Sequence, residues 1–112
     1  MVRDRASVER IIRDFAKAVS AQGVRPEKIL LFGSYARGDP RPESDIDVIV
    51  VSPDFNGMPA RRRWNILGKA AAAVMEPVEA LALSPEELEE ENLSPTSFLR
   101  EALANPTVEY RI

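Results

Sequence analysis

Gly33-Ser34 and Asp45-Ile46-Asp47 are the residues of this chain whose types and spacing could do chemistry, and ten residues, Tyr35 to Ser44, separate them. On an extended segment, alternate side chains share a face. Asp45 and Asp47 would then project to one side about 6.7 Å apart, with Ile46, Val48 and Val50 on the other. Two like charges beside a core repel one another and resist desolvation, and a divalent cation is the simplest remedy. The donor set is all oxygen, which suits Mg²⁺ or Mn²⁺ held between one or two carboxylates and substrate phosphates. Gly33-Ser34 follows an apolar run and opens a turn. Backbone N–H groups there attract phosphate, and glycine lets it come close. With the two segments adjacent, they make a nucleoside-triphosphate site.

The surrounding residues must supply the frame. Val8, Ile11, Ile12, Phe15 and Val19 recur at helical spacing, with Ser7 as the expected N-cap and Gly23 as the stop. Lys28 to Phe32 is dense in Ile and Leu and reads as a buried strand, and Asp45 to Val51 reads as a second. Gly38, Pro40 and Pro42 leave room for at most one helical turn between them. Asp54 to Pro59 reads as a loop. Ala60 to Met75 predicts a helix whose buried stripe is Ala60, Trp64, Leu67, Ala71 and Val74, with Arg61-Arg62-Arg63 as a solvated face and Trp64 in the core. Val78 to Leu83 is a third strand. Ser84-Pro85-Glu86-Glu87 has the form of a capping box and predicts a short acidic helix, its carboxylates Glu86 to Glu91 forming a charged surface. Ser94-Pro95 repeats the device ahead of a last helix carrying Phe98, Leu99, Ala102 and Leu103. Val108 to Tyr110 is an edge strand. The expected fold class is α/β (α+β): a small mixed sheet of three to four strands with helices packed on it, in one domain over residues 1–112.

Composition narrows the chemistry further. The chain has no cysteine and no histidine, which excludes thiolate nucleophiles, a Ser-His-Asp triad, an imidazole base, and zinc held by either residue. Reaction must run on carboxylates, hydroxyls, lysine, arginine and backbone groups. Eighteen acidic residues against fifteen basic ones give a net charge of −3. The pI near 5.0 argues against strong nucleic-acid binding. Neither an apolar leader nor a run long enough to span a membrane is visible, so the expected location is cytoplasmic.

Gly33-Ser34, ten residues, then Asp45-Ile46-Asp47 resembles the signature of the DNA polymerase beta-like nucleotidyltransferase superfamily. The flanking Tyr35-Ala36-Arg37-Gly38 and Ser44 resemble its minimal nucleotidyltransferases (MNT) in particular. The resemblance runs from about Ile29 to Leu83. It implies a third carboxylate on a later strand, where this chain has Glu79; the family residue is usually Asp, one methylene shorter. It also implies a catalytic and metal-binding set of Asp45, Asp47 and Glu79 holding two Mg²⁺, with Gly33 and Ser34 orienting the leaving phosphates. Arg37 either clamps a phosphate or forms a structural ion pair with Asp39 or Glu43. The implied reaction is transfer of AMP from Mg-ATP to a hydroxyl, with pyrophosphate leaving.

Ser84 to Ile112 is too short for the helical acceptor domain of larger members, so the acceptor is expected on another chain, in a homo- or hetero-oligomer. The minimal nucleotidyltransferases point to a HEPN-domain toxin, this chain being the antitoxin that modifies and silences it. Two other readings fit the same residues. One is a non-catalytic binding antitoxin with a vestigial nucleotide site, which Glu79 favours; the other is the catalytic half of a small-molecule (antibiotic) nucleotidyltransferase.

Overall fold

The computed structural model describes residues 2–89, 92–93 and 97–112. Along the chain run α1 (Arg5–Ser20), β1 (Lys28–Phe32), the single turn α2 (Ser34–Arg37), β2 (Ile46–Val51), α3 (Ala60–Val74), β3 (Val78–Leu83), α4 (Phe98–Ala104) and β4 (Val108–Arg111). The strands form one mixed sheet in the order β3-β2-β1-β4. β1 is antiparallel to both β2 and β4, and β2 is parallel to β3. The α/β class with a small mixed sheet is therefore as expected. Among the described residues no helix is long and apolar enough to cross a membrane.

Strand alternation sends the core to both faces of the sheet. On the first face, Ile29 and Leu31 of β1 and Ile46, Val48 and Val50 of β2 meet Val8, Ile12, Phe15 and Val19 of α1 and Leu67 and Ala70 of α3. On the second, Leu30 and Phe32 of β1 with Ile49 and Val51 of β2 form a smaller cluster, covered by Leu99, Ala102 and Leu103 of α4 and by Leu81, Leu83 and Leu88.

Local departures from expectation have local causes. The N-cap of α1 is Asp4 and not Ser7: the Asp4 carboxylate accepts from the Ser7 N–H at 2.8 Å, which places Ser7 at the third helical position. That hydrogen bond holds the Asp4 carboxyl below its ordinary range.

The buried stripe of α3 is also rotated from the expected one. Ile66, Leu67 and Ala70 are buried, while Trp64 is 70% exposed and not in the core. The cause is Arg63, which is not on a solvated face. Its guanidinium donates to the carbonyls of Met58, Ala82 and Phe55, pairs with Glu87 at 2.7 Å and lies over the Phe55 ring. Because it satisfies three carbonyls and a carboxylate, a charged side chain can begin the inward stripe that Ile66, Leu67 and Ala70 continue, leaving Trp64 about 100° around the helix.

The capping box is present, for Ser84 N–H donates to Glu87 Oε1 at 2.8 Å and Glu87 N–H to Ser84 Oγ at 3.2 Å. Among the described residues it caps a turn and not a helix, and Glu90 and Glu91 of the expected acidic surface lie outside them. Carboxylates at helical spacing in this acidic run oppose propagation, and the Glu87 side chain is already shared with Arg63. The Ser94-Pro95 expectation lies outside the described residues. Ser97 caps α4, its hydroxyl accepting from the Leu99 N–H at 3.1 Å.

Candidate active site

The register of the sheet places Phe32 of β1 opposite Asp47 of β2, and Asp47 opposite Glu79 of β3. Residues paired in this way share a face, so Phe32, Asp47 and Glu79 form a row across three strands on the second face of the sheet. The row lies where β1 ends and β2 begins, beside the chain's turn out of the sheet at Gly33.

Gly33 adopts φ 74° and ψ −156°, a region that side chains avoid. A Cβ at this position would collide with Asp47 Oδ2 and lie 3.1 Å from Asp47 Cγ. Glycine is therefore required twice: for its backbone angles and because the Asp47 carboxylate occupies the space a side chain would take. This contact joins the two halves of the sequence motif. The one-turn α2 that follows leaves the first N–H groups after Gly33 without intrahelical acceptors, while the Gly33 carbonyl accepts from the Ala36 and Arg37 N–H groups.

The turn and the acid row open into a cleft of about 500 Å³, within the range of small-ligand sites. Gly33, Ser34, Arg37, Asp45, Asp47 and Glu79, all named by the sequence, line it together, and Ser44 joins them. Asp45 sits one residue before β2 and is exposed, whereas Asp47 is half-buried. Ser44 Oγ accepts from the Arg41 N–H at 2.9 Å and steadies the approach to Asp45. Arg37 pairs with Asp39 at 3.4 Å, one of the two ion pairs expected for it, and also lines the cleft.

The far wall was not foreseen. Phe98, Glu101 and Ala102 of α4 and its C-cap Asn105, with Phe32, complete the cleft. Their spacing of three, four and seven residues is the signal that marks them as one helical stripe.

Burial pushes the Asp47 carboxyl up from 3.8 to about 6, with the Glu79 and Asp45 carboxylates adding to the effect and Arg37 offsetting part of it. Negative charge is thus gathered without enough protein cation to balance it. Among the described residues, no three acidic side chains converge closely enough to cage a metal unaided. That arrangement fits a hard divalent ion that takes one or two protein carboxylates and completes its shell with phosphate oxygens and water.

The site is thus an acid row beside a Gly-Ser turn on a small mixed sheet. Residues 12–106 match the nucleotidyltransferase domain family, and the chain belongs to it. Over 50 residues it is 50% identical to "Putative protein adenylyltransferase MJ0604" of Methanocaldococcus jannaschii, which is 43% of this chain and 50% of that protein. Over 42 residues it is 45% identical to "Putative protein adenylyltransferase MJ0141" of the same organism, which is 37% of this chain and 42% of that protein. The chain spans about half the length of the curated relatives it matches.

Solved structures with the same fold include a "putative nucleotidyltransferase" from Sulfolobus solfataricus (TM-score 0.55, 24% identity, 78% of this chain and 81% of that one). A toxin-antitoxin with AMP-PNP gives a TM-score of 0.58 at 24% identity, covering 87% of this chain and 69% of that one. A mutant of the toxin-antitoxin MntA-HpeT gives 0.52 at 20% identity, covering 96% and 72%. At these identities the likeness is one of fold.

Proposed function

We propose that this chain transfers AMP from ATP to a hydroxyl on a protein acceptor. The observation that carries the reading is the contact between Gly33 and the Asp47 carboxylate, which fuses the turn and the acid row into one cleft. The adenylyltransferase name of the two archaeal relatives supports a protein acceptor.

Asp45, Asp47 and Glu79 would share two Mg²⁺, or Mn²⁺ in their place, each ion taking one or two of the carboxylates; when bound they would supply charge neutralisation on the triphosphate and a lowered pKa for the attacking hydroxyl. The Gly33-Ser34 turn orients the β- and γ-phosphates through backbone N–H groups and the Ser34 hydroxyl, and Arg37 adds a positive charge at the cleft wall. The acceptor oxygen forms a bond to the α-phosphorus as the bond to the bridging oxygen breaks, and pyrophosphate leaves with that electron pair. The hydroxyl proton passes to the Glu79 carboxylate. No covalent intermediate with this chain is required.

The acceptor we propose is a HEPN-domain toxin, silenced by the modification, with this chain as its antitoxin; the toxin-antitoxin proteins among the fold neighbours support a toxin as the partner. Incubating the chain with a HEPN-domain protein, Mg²⁺ and ATP labelled at the α-phosphate is expected to place label on the HEPN protein as one or more AMP units. Asp47→Asn is expected to lower the rate by about 10³-fold or more. A neutralised but unlabelled toxin would identify a binding antitoxin, label confined to a small molecule would identify an antibiotic-type enzyme, and a fully active Asp47→Asn would reject the site.

A further inference from the structure

The lining of the cleft is of two chemical kinds. Gly33, Ser34, Arg37, Asp45 and Asp47, at the turn after β1 and the start of β2, offer backbone N–H groups, a hydroxyl and charge; Phe32 and, on α4, Phe98 and Ala102 are apolar. A nucleoside triphosphate has the same two kinds of part, with charge at one end and a flat ring at the other.

The apolar part is built around an aromatic pair. Phe32 and Phe98 meet edge-on, with ring centroids 6.0 Å apart at 66°. Phe32 is 8% exposed and shares the row with Asp47, so the pair begins directly beside the charged part. Phe98 is 61% exposed, whereas Leu99, Ala102 and Leu103 of the same helix are partly buried against the sheet. A phenyl ring left open on the wall of a cleft, braced on its inner side by a second ring, is a surface for another flat group. Ala102, one turn further along the same stripe, adds no bulk in front of it, and Glu101 and Asn105 provide hydrogen-bonding groups at the edge.

We infer that Phe98 is the stacking platform for the base of the nucleoside triphosphate, so that α4 seats the base while the Gly33-Ser34 turn and the acid row hold the phosphates. The inference rests on reading the cleft as a triphosphate site. Stacking on one ring tolerates any base, so the platform contributes affinity to every nucleotide.

The test separates the base from the phosphates. The 112-residue chain is titrated, with Mg²⁺, with α,β-methylene-ATP, which cannot release pyrophosphate, and separately with inorganic tripolyphosphate. Phe98→Leu keeps an apolar side chain and removes the ring. It is expected to weaken the ATP analogue about tenfold while leaving tripolyphosphate unchanged, and Phe98→Trp is expected to bind the analogue at least as tightly as the original chain. Equal weakening of both ligands, or of neither, would show that Phe98 only packs and would overturn the platform. Should Phe98→Leu fail to fold, weaker analogue binding by Phe98→Trp would overturn it equally. If the original chain binds tripolyphosphate and the analogue while Phe98→Leu changes nothing, only the base seat fails. If the original chain binds neither, the triphosphate reading fails and the platform with it.

Discussion

The two faces of the sheet are built for different ends. The first is sealed by α1 and α3 over a continuous set of apolar side chains, many of them less than 4% exposed. The second holds a smaller cluster under the short α4, and where that cluster stops the cleft begins. β2 serves both, for Ile46, Val48 and Val50 enter the sealed face while Asp47 stands on the other, on the same side as Ile49 and Val51. The sealed face lets the other tolerate a half-buried carboxylate, a glycine with unfavourable backbone angles and an aromatic ring open to water. Stability and chemistry are divided between the two sides of the same strands.

This contrast predicts a graded set of outcomes. Phe15, 1% exposed at the centre of the sealed face, should be the most costly of these to truncate. Phe15→Ala is expected to lower unfolding free energy by about 3–5 kcal/mol, read as the denaturation midpoint in urea at constant slope. Gly33→Ala acts at the junction of fold and site and should cost about 2–3 kcal/mol, from the unfavourable backbone angles and the contact with Asp47. Combining it with Asp47→Ala should recover the part due to the contact and leave the backbone part, so a double-mutant cycle with zero coupling would contradict the fusion of turn and acid row.

The smallest effect has the opposite sign. Because the folded Asp47 carboxyl titrates near 6 against 3.8 for the ordinary group, the folded state binds more protons between those values, and its stability falls as pH rises through that window. Asp47→Asn should therefore stabilise the metal-free chain above about pH 6 by on the order of 1 kcal/mol, discounted for solvent access, with no gain below about pH 4. Melting temperatures of both proteins across that range, in chelator, would show a gap that opens with pH. A constant gap would place the cause outside this carboxylate.

The sequence made the site's charged half legible because its parts are local. Gly33-Ser34 and Asp45-Ile46-Asp47 lie at the ends of one connection between adjacent strands, and alternation within β2 already separates Asp47 from Ile46 and Val48. The Ser84 and Glu87 capping box was legible for the same reason, although it closes only a turn. What escaped depends on distant partners. Arg63 turns inward because the carbonyls of Phe55, Met58 and Ala82 and the Glu87 carboxylate await it there, and Trp64 is displaced to the surface as a result. Asp4 outcompetes Ser7 as the cap of α1 because it stands directly before the first helical residue. Phe98 and its stripe reach the cleft only because α4 folds back over the second face, which no spacing within residues 29–83 could show.

The row from Phe32 through Asp47 to Glu79 draws one residue from each of three strands, one junction antiparallel and the other parallel. No contiguous fragment shorter than the stretch from Phe32 to Glu79 contains it, and slipping either register by a single residue would turn the shifted side chain to the opposite side. Competence is therefore all-or-none with strand pairing: a chain that has made its helices and one hairpin still lacks the assembled row.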